Sequence, residues 1–401
     1  TGGRSACNFQ WIMLQSAPVA EKLTIKIIQK IGEVERASWD RLVADGSPFL
    51  KWDWLDALEQ SGCVNEASGW LPHHLIVERG ERVVGGCPMY LKLHSMGEFV
   101  FDYEWAEYAQ HLGISYYPKM LVGIPFTPVT GPRFITDGSQ DRRGMVQLMG
   151  RALMQIAREN KISSVHVNFC LPDEGEALSE LGYVRRIGLQ FHWQNRGYRS
   201  FDDYLAAFRS DRRNKIKRER REIFAQGITI RALQGEELTP AHLGAMFELY
   251  KGHIDELYYG RQYLTQRFFD ELLRRFAPYL CLIFAERDSK IIAGTFNVQD
   301  RSVLYGRYWG CFEEIRYLHF NVCYYAAIEH CIRHGLERFE AGAGGSFKQL
   351  RGLDPEPTAS LHYIVHEGFR RAVEKHLLQE RETVQEKRAE LLEKSQLKKE
   401  R

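Results

Sequence analysis

His74-Leu75-Ile76-Val77-Glu78-Arg79-Gly80-Glu81-Arg82-Val83-Val84-Gly85-Gly86 and Cys281-Leu282-Ile283-Phe284-Ala285-Glu286-Arg287-Asp288-Ser289-Lys290-Ile291-Ile292-Ala293-Gly294 are two versions of one pattern. Each has an apolar strand, a polar turn and a second strand ending in small residues, which predicts a hairpin. Each is followed by a helical pattern and a strand, at residues 145–160 and 164–169 in the first half and at 321–334 and 338–341 in the second. One more strand then closes each half, residues 188–193 for the first and 360–365 for the second. Hairpin, helix, strand, strand, twice over, predicts duplicated α/β (α+β) domains with mixed sheets.

The expected organisation follows from that repeat. Residues 1–20 lack a clear signal-peptide core and read as a disordered stretch or a processing or expression-derived remnant. Residues 21–198 form the first domain and 227–368 the second. Between them, 199–226 form a basic helical connector, with Ser200 or Asp202 as its cap. Residues 369–401 carry no Gly or Pro and are rich in Glu, Lys, Arg, Leu and Gln, which predicts a C-terminal charged helix.

Length and charge narrow the function classes. A chain of 401 residues exceeds one ordinary core, so two are expected. Its formal net charge of +2 supplies no global field for nucleic acid or membrane, so any basic site is local. The eight cysteines form no CxxC and no Cys/His zinc spacing, which predicts no metal site and a reducing, cytoplasmic setting. No apolar run reaches the ~18 residues of a membrane span. No known DNA-reading motif is present, so DNA is not an expected partner. The oligomeric state stays open.

Longer motifs carry a family resemblance. In the first half they are Ser47-Pro48-Phe49-Leu50, Gly69-Trp70-Leu71-Pro72-His73-His74-Leu75, Pro88-Met89-Tyr90-Leu91-Lys92, Gly97-Glu98-Phe99-Val100-Phe101-Asp102, Tyr116-Tyr117-Pro118-Lys119, and Pro125-Phe126-Thr127-Pro128-Val129-Thr130-Gly131-Pro132-Arg133. In the second half they are Tyr305-Gly306-Arg307-Tyr308-Trp309-Gly310, Leu318-His319-Phe320, Cys323-Tyr324-Tyr325, and Phe339-Glu340-Ala341-Gly342-Ala343 followed by Lys348 and Arg351-Gly352. From about Ser47 to Arg370 the chain resembles the FemAB-like N-acyltransferases, a bacterial peptidoglycan biosynthesis/recognition group of the GNAT superfamily. The resemblance implies tandem GNAT-like domains and transfer of an acyl or aminoacyl group to an amine. It departs from the family at Gly344-Gly345-Ser346-Phe347, where an aromatic stands beside Lys348, and at Gln349-Leu350.

GNAT-type chemistry needs proximity, a proton acceptor and a polarised carbonyl rather than a nucleophilic triad. Glu340 ends a predicted strand just before the glycines and is either a base or amine anchor, or a salt-bridge partner of Arg351 or Lys348. Asp102, among aromatics, is either a base with a raised pKa or a helix cap. His319 is either catalytic or a hydrogen-bonded core residue. Gly342, Gly344, Gly345, Lys348 and Arg351 are expected to cradle an anion, and Phe347 excludes a dinucleotide fingerprint. Tyr117, Lys119 and Arg133 flank the Pro-rich loop expected to shape an acceptor cleft, and the resemblance adds Tyr305 and Arg307 to the substrate-binding set.

No good pyrophosphate loop follows the second-half strands, because Glu313 and Glu314 stand where it would lie; Thr130-Gly131-Pro132-Arg133 is a partial substitute in the first half. The expected co-substrate is an acyl-CoA or, more in keeping with this loss, an aminoacyl-tRNA, with no covalently bound cofactor. Eight Lys/Arg lie within residues 209–221. On a helix Arg213, Lys217, Arg220 and Arg221 share a face that could grip tRNA or nucleotide phosphates, or could simply be solvated. The acceptor is expected to be a primary amine on a cell-wall precursor or an amino-acid-derived metabolite. The alternatives are a non-catalytic binding module for peptidoglycan precursors or a protein, and an RNA-binding protein acting through the basic run.

Overall fold

The two hairpins carry the same irregularity. In the computed structural model, which describes residues 22–256, 261–342, 344 and 347–398, β3 (His74–Arg79) pairs with β4 (Arg82–Cys87), and the register slips between Val77↔Gly85 and Glu78↔Val83. β11 (Leu280–Arg287) pairs with β12 (Lys290–Gln299), and the register slips between Ala285↔Ala293 and Glu286↔Ile291. Val84 and Ile292 are therefore the extra residues of equivalent bulges, and both are buried. A shared bulge at a shared position in aligned sequence is what duplication leaves behind.

Each half also contains one helix crossover joining parallel strands. β6 (Lys119–Val122) leads through the helix Arg142–Glu159 to β8 (Ser164–Asn168), and β13 (Val303–Cys311) leads through residues 318–334 to β14 (Arg338–Glu340). Asp141 caps the first of these helices by accepting from the Gly144 amide at 2.7 Å. Among the described residues these are the two parallel pairings; the other ladders are antiparallel. The second half is continuous, from β10 (Thr229–Gln234) through β11, β12 and β13 to β14. In the first half Pro88 interrupts the strand equivalent to β12. β4 joins β1 (Leu23–Ile28), β3 and β7 (Ile135–Thr136) in a four-stranded sheet, whereas β5 (Met89–Lys92) joins β2 (Trp70–Pro72) and β6 in the large one.

The closing strands correct the simplest form of the repeat. β9 (Val184–Gln194) does not close the first half, and β15 (Asp354–Ile364) does not close the second. β15 pairs with β8 over Ser360↔Asn168 to Ile364↔Ser164, and β9 pairs with β14 over Glu340↔His192 to Arg338↔Gln194. The two strands also pair with each other, from Asp354↔His192 to His362↔Val184. Each half thus lends its last strand to the other, and a single sheet of order β10-β11-β12-β13-β14-β9-β15-β8-β6-β5-β2 results.

The halves share a core as well. Phe49 packs edge-on against Tyr305 at 5.2 Å, and Trp54 contacts Phe268 at 5.2 Å and Phe276 at 5.3 Å. The connector is two helices rather than one. Ser200 caps Phe201–Ala206 by accepting from the Asp203 amide at 3.1 Å, and the basic helix Ser210–Phe224 starts afresh. The C-terminal helix spans Glu367–Glu393 and lies on β9 and β15, with Arg186 and Glu380 paired at 2.7 Å. No described helix is long and apolar enough to cross a membrane. The expectations for residues 1–20 and for Gly345 lie outside the described residues.

Candidate functional site

β13 and β14 part company. They are paired only through Tyr305↔Glu340, where β14 stops and β13 continues to Cys311. A cavity of about 480 Å³ opens in the gap and reaches both faces of the sheet. A second bulge, on β13, serves it. Phe296 pairs with Tyr308 and Asn297 with Gly306, so Arg307 is the extra residue, and its side chain lines the gap. The helix Pro240–Glu256 roofs one face, pressed so close that a Cβ at Gly310 would lie 2.0 Å from the Leu249 carbonyl oxygen.

The other face is walled by the crossover helix. It begins as Leu318–Phe320, widens into a π turn at Asn321–Tyr325 and continues as Ala326–His334. Cys323 and Tyr324 of the π turn and His319 just before it lie together on the cavity wall, and such a turn is a local distortion of the kind found at working sites. The His319 ring stands edge-on to Trp309 at 4.9 Å and to Tyr324 at 5.4 Å. Burial holds its pKa down to about 4, so the ring is neutral at pH 7.

Two cations reach this cavity. Lys348 is buried, donates from Nζ to the Gly342 carbonyl, and has its pKa lowered to about 8 by burial. Gly342 therefore presents a carbonyl to Lys348 rather than an amide to an anion, while Gly344 lies on the cavity wall. The Arg307 guanidinium donates to the Phe126 carbonyl, and its Nε has no partner. Burial also lowers the Arg307 pKa.

Glu340 stands at the parting but does not line the cavity. Its strand neighbours Phe339 and Ala341 do, and Glu340 points away from them, to the face of the sheet on which its ladder partner Tyr305 lies. There it is buried, 2.8 Å from the Arg338 guanidinium and 3.8 Å from Nε2 of His192. Burial raises its pKa to about 7 against the pull of Arg338. Its ion-pair partner is thus Arg338, not Arg351 or Lys348.

Other expected site residues are committed elsewhere. Arg351 is buried with its guanidinium 3.5 Å from the Phe320 ring and 3.2 Å from Glu219, so it anchors the basic helix and leaves the anion cradle. The Tyr305 hydroxyl donates to Asp300 at 2.8 Å, and its ring belongs to the shared core. Arg133 is fully buried; it donates to the carbonyls of Asn168 at 2.6 Å, Pro132 at 3.1 Å and Val129. With Gly131 bonded to Phe169 at 3.1 Å, it closes the Pro-rich loop over the carboxyl ends of β6 and β8. The chain itself occupies the first-half counterpart of the open gap.

Asp102, Tyr117 and Lys119 gather on the first half instead. The Lys119 ammonium donates to Ser95 at 2.8 Å, Glu98 at 2.9 Å and Asp102, and Ser95 also bonds the Tyr117 hydroxyl at 2.8 Å. Burial favours a raised Asp102 pKa, but Lys119 outweighs it and holds the carboxyl below the usual range. The raised pKa expected of Asp102 is therefore reversed by its ammonium partner. Burial would lower Lys119, but Glu98 and Asp102 together raise it. On the basic helix, Arg220 is taken by Glu329 at 2.8 Å and by the Phe201 ring at 3.9 Å. Lys217 and Arg221 are exposed beside it in an open hollow of about 710 Å³; Arg213 lies on the same helix, half-buried.

On the cavity wall, the sequence motifs included Phe99, Trp309 and Tyr324 without giving them a site role, and Asn297 stood in none of them. The bulge that brings Asn297 and Arg307 together leaves no mark in a strand-like run. Among the described residues no cluster of His, Cys, Asp and Glu suits a metal ion.

A family model for FemAB-like proteins, described as peptidoglycan biosynthesis/recognition, matches residues 30–399. The chain belongs to the FemAB-like family. That family is one of peptidoglycan biosynthesis or recognition. Among solved structures it is similar to FemX, at 13% identity and a TM-score of 0.53, covering 85% of this chain and 98% of that one. The C-terminal domain (DUF2156) of a putative lysylphosphatidylglycerol synthetase from Agrobacterium fabrum gives 11% identity and a TM-score of 0.53, covering 84% and 95%. A tandem GNAT protein of the clavulanic acid biosynthesis pathway gives 12% identity and a TM-score of 0.41, covering 86% and 99%. At these identities the likeness to FemX and to the synthetase domain is one of fold. No curated protein matches the chain.

Proposed function

We propose that this FemAB-like protein moves an acyl or aminoacyl group onto a primary amine in the gap between β13 and β14. One observation carries the reading: the strands part after Tyr305↔Glu340, and the cavity in the parting holds both Lys348 and Arg307. The donor's ester or thioester lies across the gap. Lys348, with a pKa of about 8, is an ammonium at pH 7 and polarises the carbonyl. The neutral His319 ring offers an acceptor that orients the incoming amine.

The amine nitrogen attacks the acyl carbon and an amide C–N bond forms. The C–O or C–S bond breaks, and the leaving atom takes a proton that Lys348 is poised to give. The proton lost from the amine passes to water. Glu340 does not line the cavity and acts through the charge it sets beside Arg307. Just beyond β13, Glu313 is paired with Arg287, and the carboxylate of Glu314 beside it disfavours a pyrophosphate there, which supports an aminoacyl-tRNA over an acyl-CoA. The family's peptidoglycan connection supports a precursor stem peptide as the bearer of the amine.

The test is direct. Purified protein is given labelled mixed aminoacyl-tRNAs or labelled acetyl-CoA together with a synthetic lysine-containing stem pentapeptide. Amide product is expected from one donor class, and Lys348→Met should lower kcat on the order of 100-fold with Tm held. No amide from either donor class would remove the proposal.

A further inference from the structure

Two cavities meet at one side chain. The large cavity in the β13–β14 gap and a smaller one of about 260 Å³ have Phe99 and Gly344 in common. The smaller lies over the ladder that the strand exchange creates, with Gly188 and Gln190 of β9 and Thr358 and Ser360 of β15 in its wall. Its rim is formed with the C-terminal helix through Arg186 and Glu380.

Phe99 is held there under strain. Its φ is +59°, in the left-handed region. That conformation costs a bulky residue on the order of 1–2 kcal/mol, so it persists only where the surroundings impose it. They do so from both sides. Before it, Gly97 approaches Phe126 so closely that a Cβ would lie 2.8 Å from the ring, and the Glu98 carboxylate is buried 2.9 Å from Lys119. After it, the Phe101 carbonyl accepts from Arg186 at 2.6 Å, and Asp102 is bound by Lys119 and by the Tyr116 hydroxyl at 2.5 Å. One fully buried lysine thus pins the residue before Phe99 and the residue three after it. A buried charge cluster adds little net stability over an apolar one, but breaking it is expensive, which suits a device for holding position.

We propose that Phe99 is the partition between a donor compartment, the large cavity, and an acceptor compartment, the small one, with Glu98 and Lys119 as its positioning residues. This rests on the transferase reading above. The acceptor it fits is a primary amine on an extended peptide-like chain, laid along the polar face of β9 and β15. With the ring in place, the amine that comes past it is the nucleophile that reaches the acyl carbon. With the ring gone, water enters: a C–O bond forms from water, the same C–O or C–S bond breaks, and the products are the free acid and the protonated leaving group.

Phe99→Gly is the informative variant, because it removes the ring and relieves the backbone at once. Amide and free acid are measured in the same reaction, with mixed labelled aminoacyl-tRNA or acetyl-CoA as donor and the lysine-containing pentapeptide as acceptor. The amide-to-acid ratio is expected to fall about tenfold or more, and Phe99→Leu to restore most of it. Glu98→Gln should lower the ratio in the same direction, though less. An unchanged ratio in Phe99→Gly with transfer intact overturns the partition. Absence of both products from the unaltered protein is a different result, and it removes the transferase reading together with this inference.

Discussion

Glu340 is a carboxyl that the fold keeps near neutrality. Its pKa stands at about 7 against an ordinary value of 4.5, because burial outweighs the attraction of Arg338. A raised carboxyl pKa means that the folded state binds the proton more tightly than the unfolded chain. The associated stability is fully present below about 4.5 and is lost as pH climbs through 7; for a group this buried it is on the order of 2–3 kcal/mol. Glu98 is raised to about 7 by the same cause, so it contributes a slope of the same sign. Glu340→Gln should therefore gain stability relative to the unaltered protein at pH 8, gain little at pH 5, and leave the part of the slope that Glu98 supplies. Urea midpoints measured from pH 5 to 8 check this, and an unaltered slope would refute the assignment. The sequence placed Glu340 at a strand end beside the glycines, which was legible from order alone. Which way its side chain points was not, because that depends on one register decision in a three-residue strand.

Elements show the same division between what pattern reveals and what packing decides. The hairpins were legible because their turns and their alternation are local, and even the bulge at Val84 and Ile292 sits inside the aligned text. The basic helix was legible as a helix but not in its role. Its inward face, Arg212, Ile216, Glu219 and Ile223, is what docks it, and Glu219 joins Arg351 at 3.2 Å and the Tyr325 hydroxyl. Arg351 looked like a free cation after a glycine cluster because its partner lies far away in sequence. Arg351→Ala should leave Glu219 buried with only Arg212, 3.5 Å away, as counter-charge. We expect a loss of about 2–4 kcal/mol, partly recovered by adding Glu219→Gln. Thermal melts of the single and double variants decide it: an Arg351→Ala protein as stable as the original would contradict the anchoring role.

At the scale of the molecule, duplication alone would give two separable domains, and the strand exchange prevents that. β9 contributes to the ladder of the second half and β15 to that of the first, and neither partner is evident from a period-2 pattern, which records a strand's faces but not its neighbours. The asymmetry of the site has a different source, the Pro-rich loop. The first-half gap is filled by its own Pro-rich loop and Arg133, and the same loop reaches across to hold Arg307 through the Phe126 carbonyl, so the closed half scaffolds the open one. A chain divided between residues 198 and 199 should then yield fragments that do not fold alone: the first lacks the strand beside β8, the second lacks the one beside β14, and both expose the aromatic core around Phe49, Trp54 and Tyr305. Co-expressed, they should reassemble into one species that unfolds in a single transition, because the ladders and the core couple both halves. Size exclusion and far-UV circular dichroism of each fragment and of the pair provide the check. A first fragment that is monomeric, structured and cooperative by itself would show that the lent strand is dispensable, and the shared sheet would cease to be what couples the two halves.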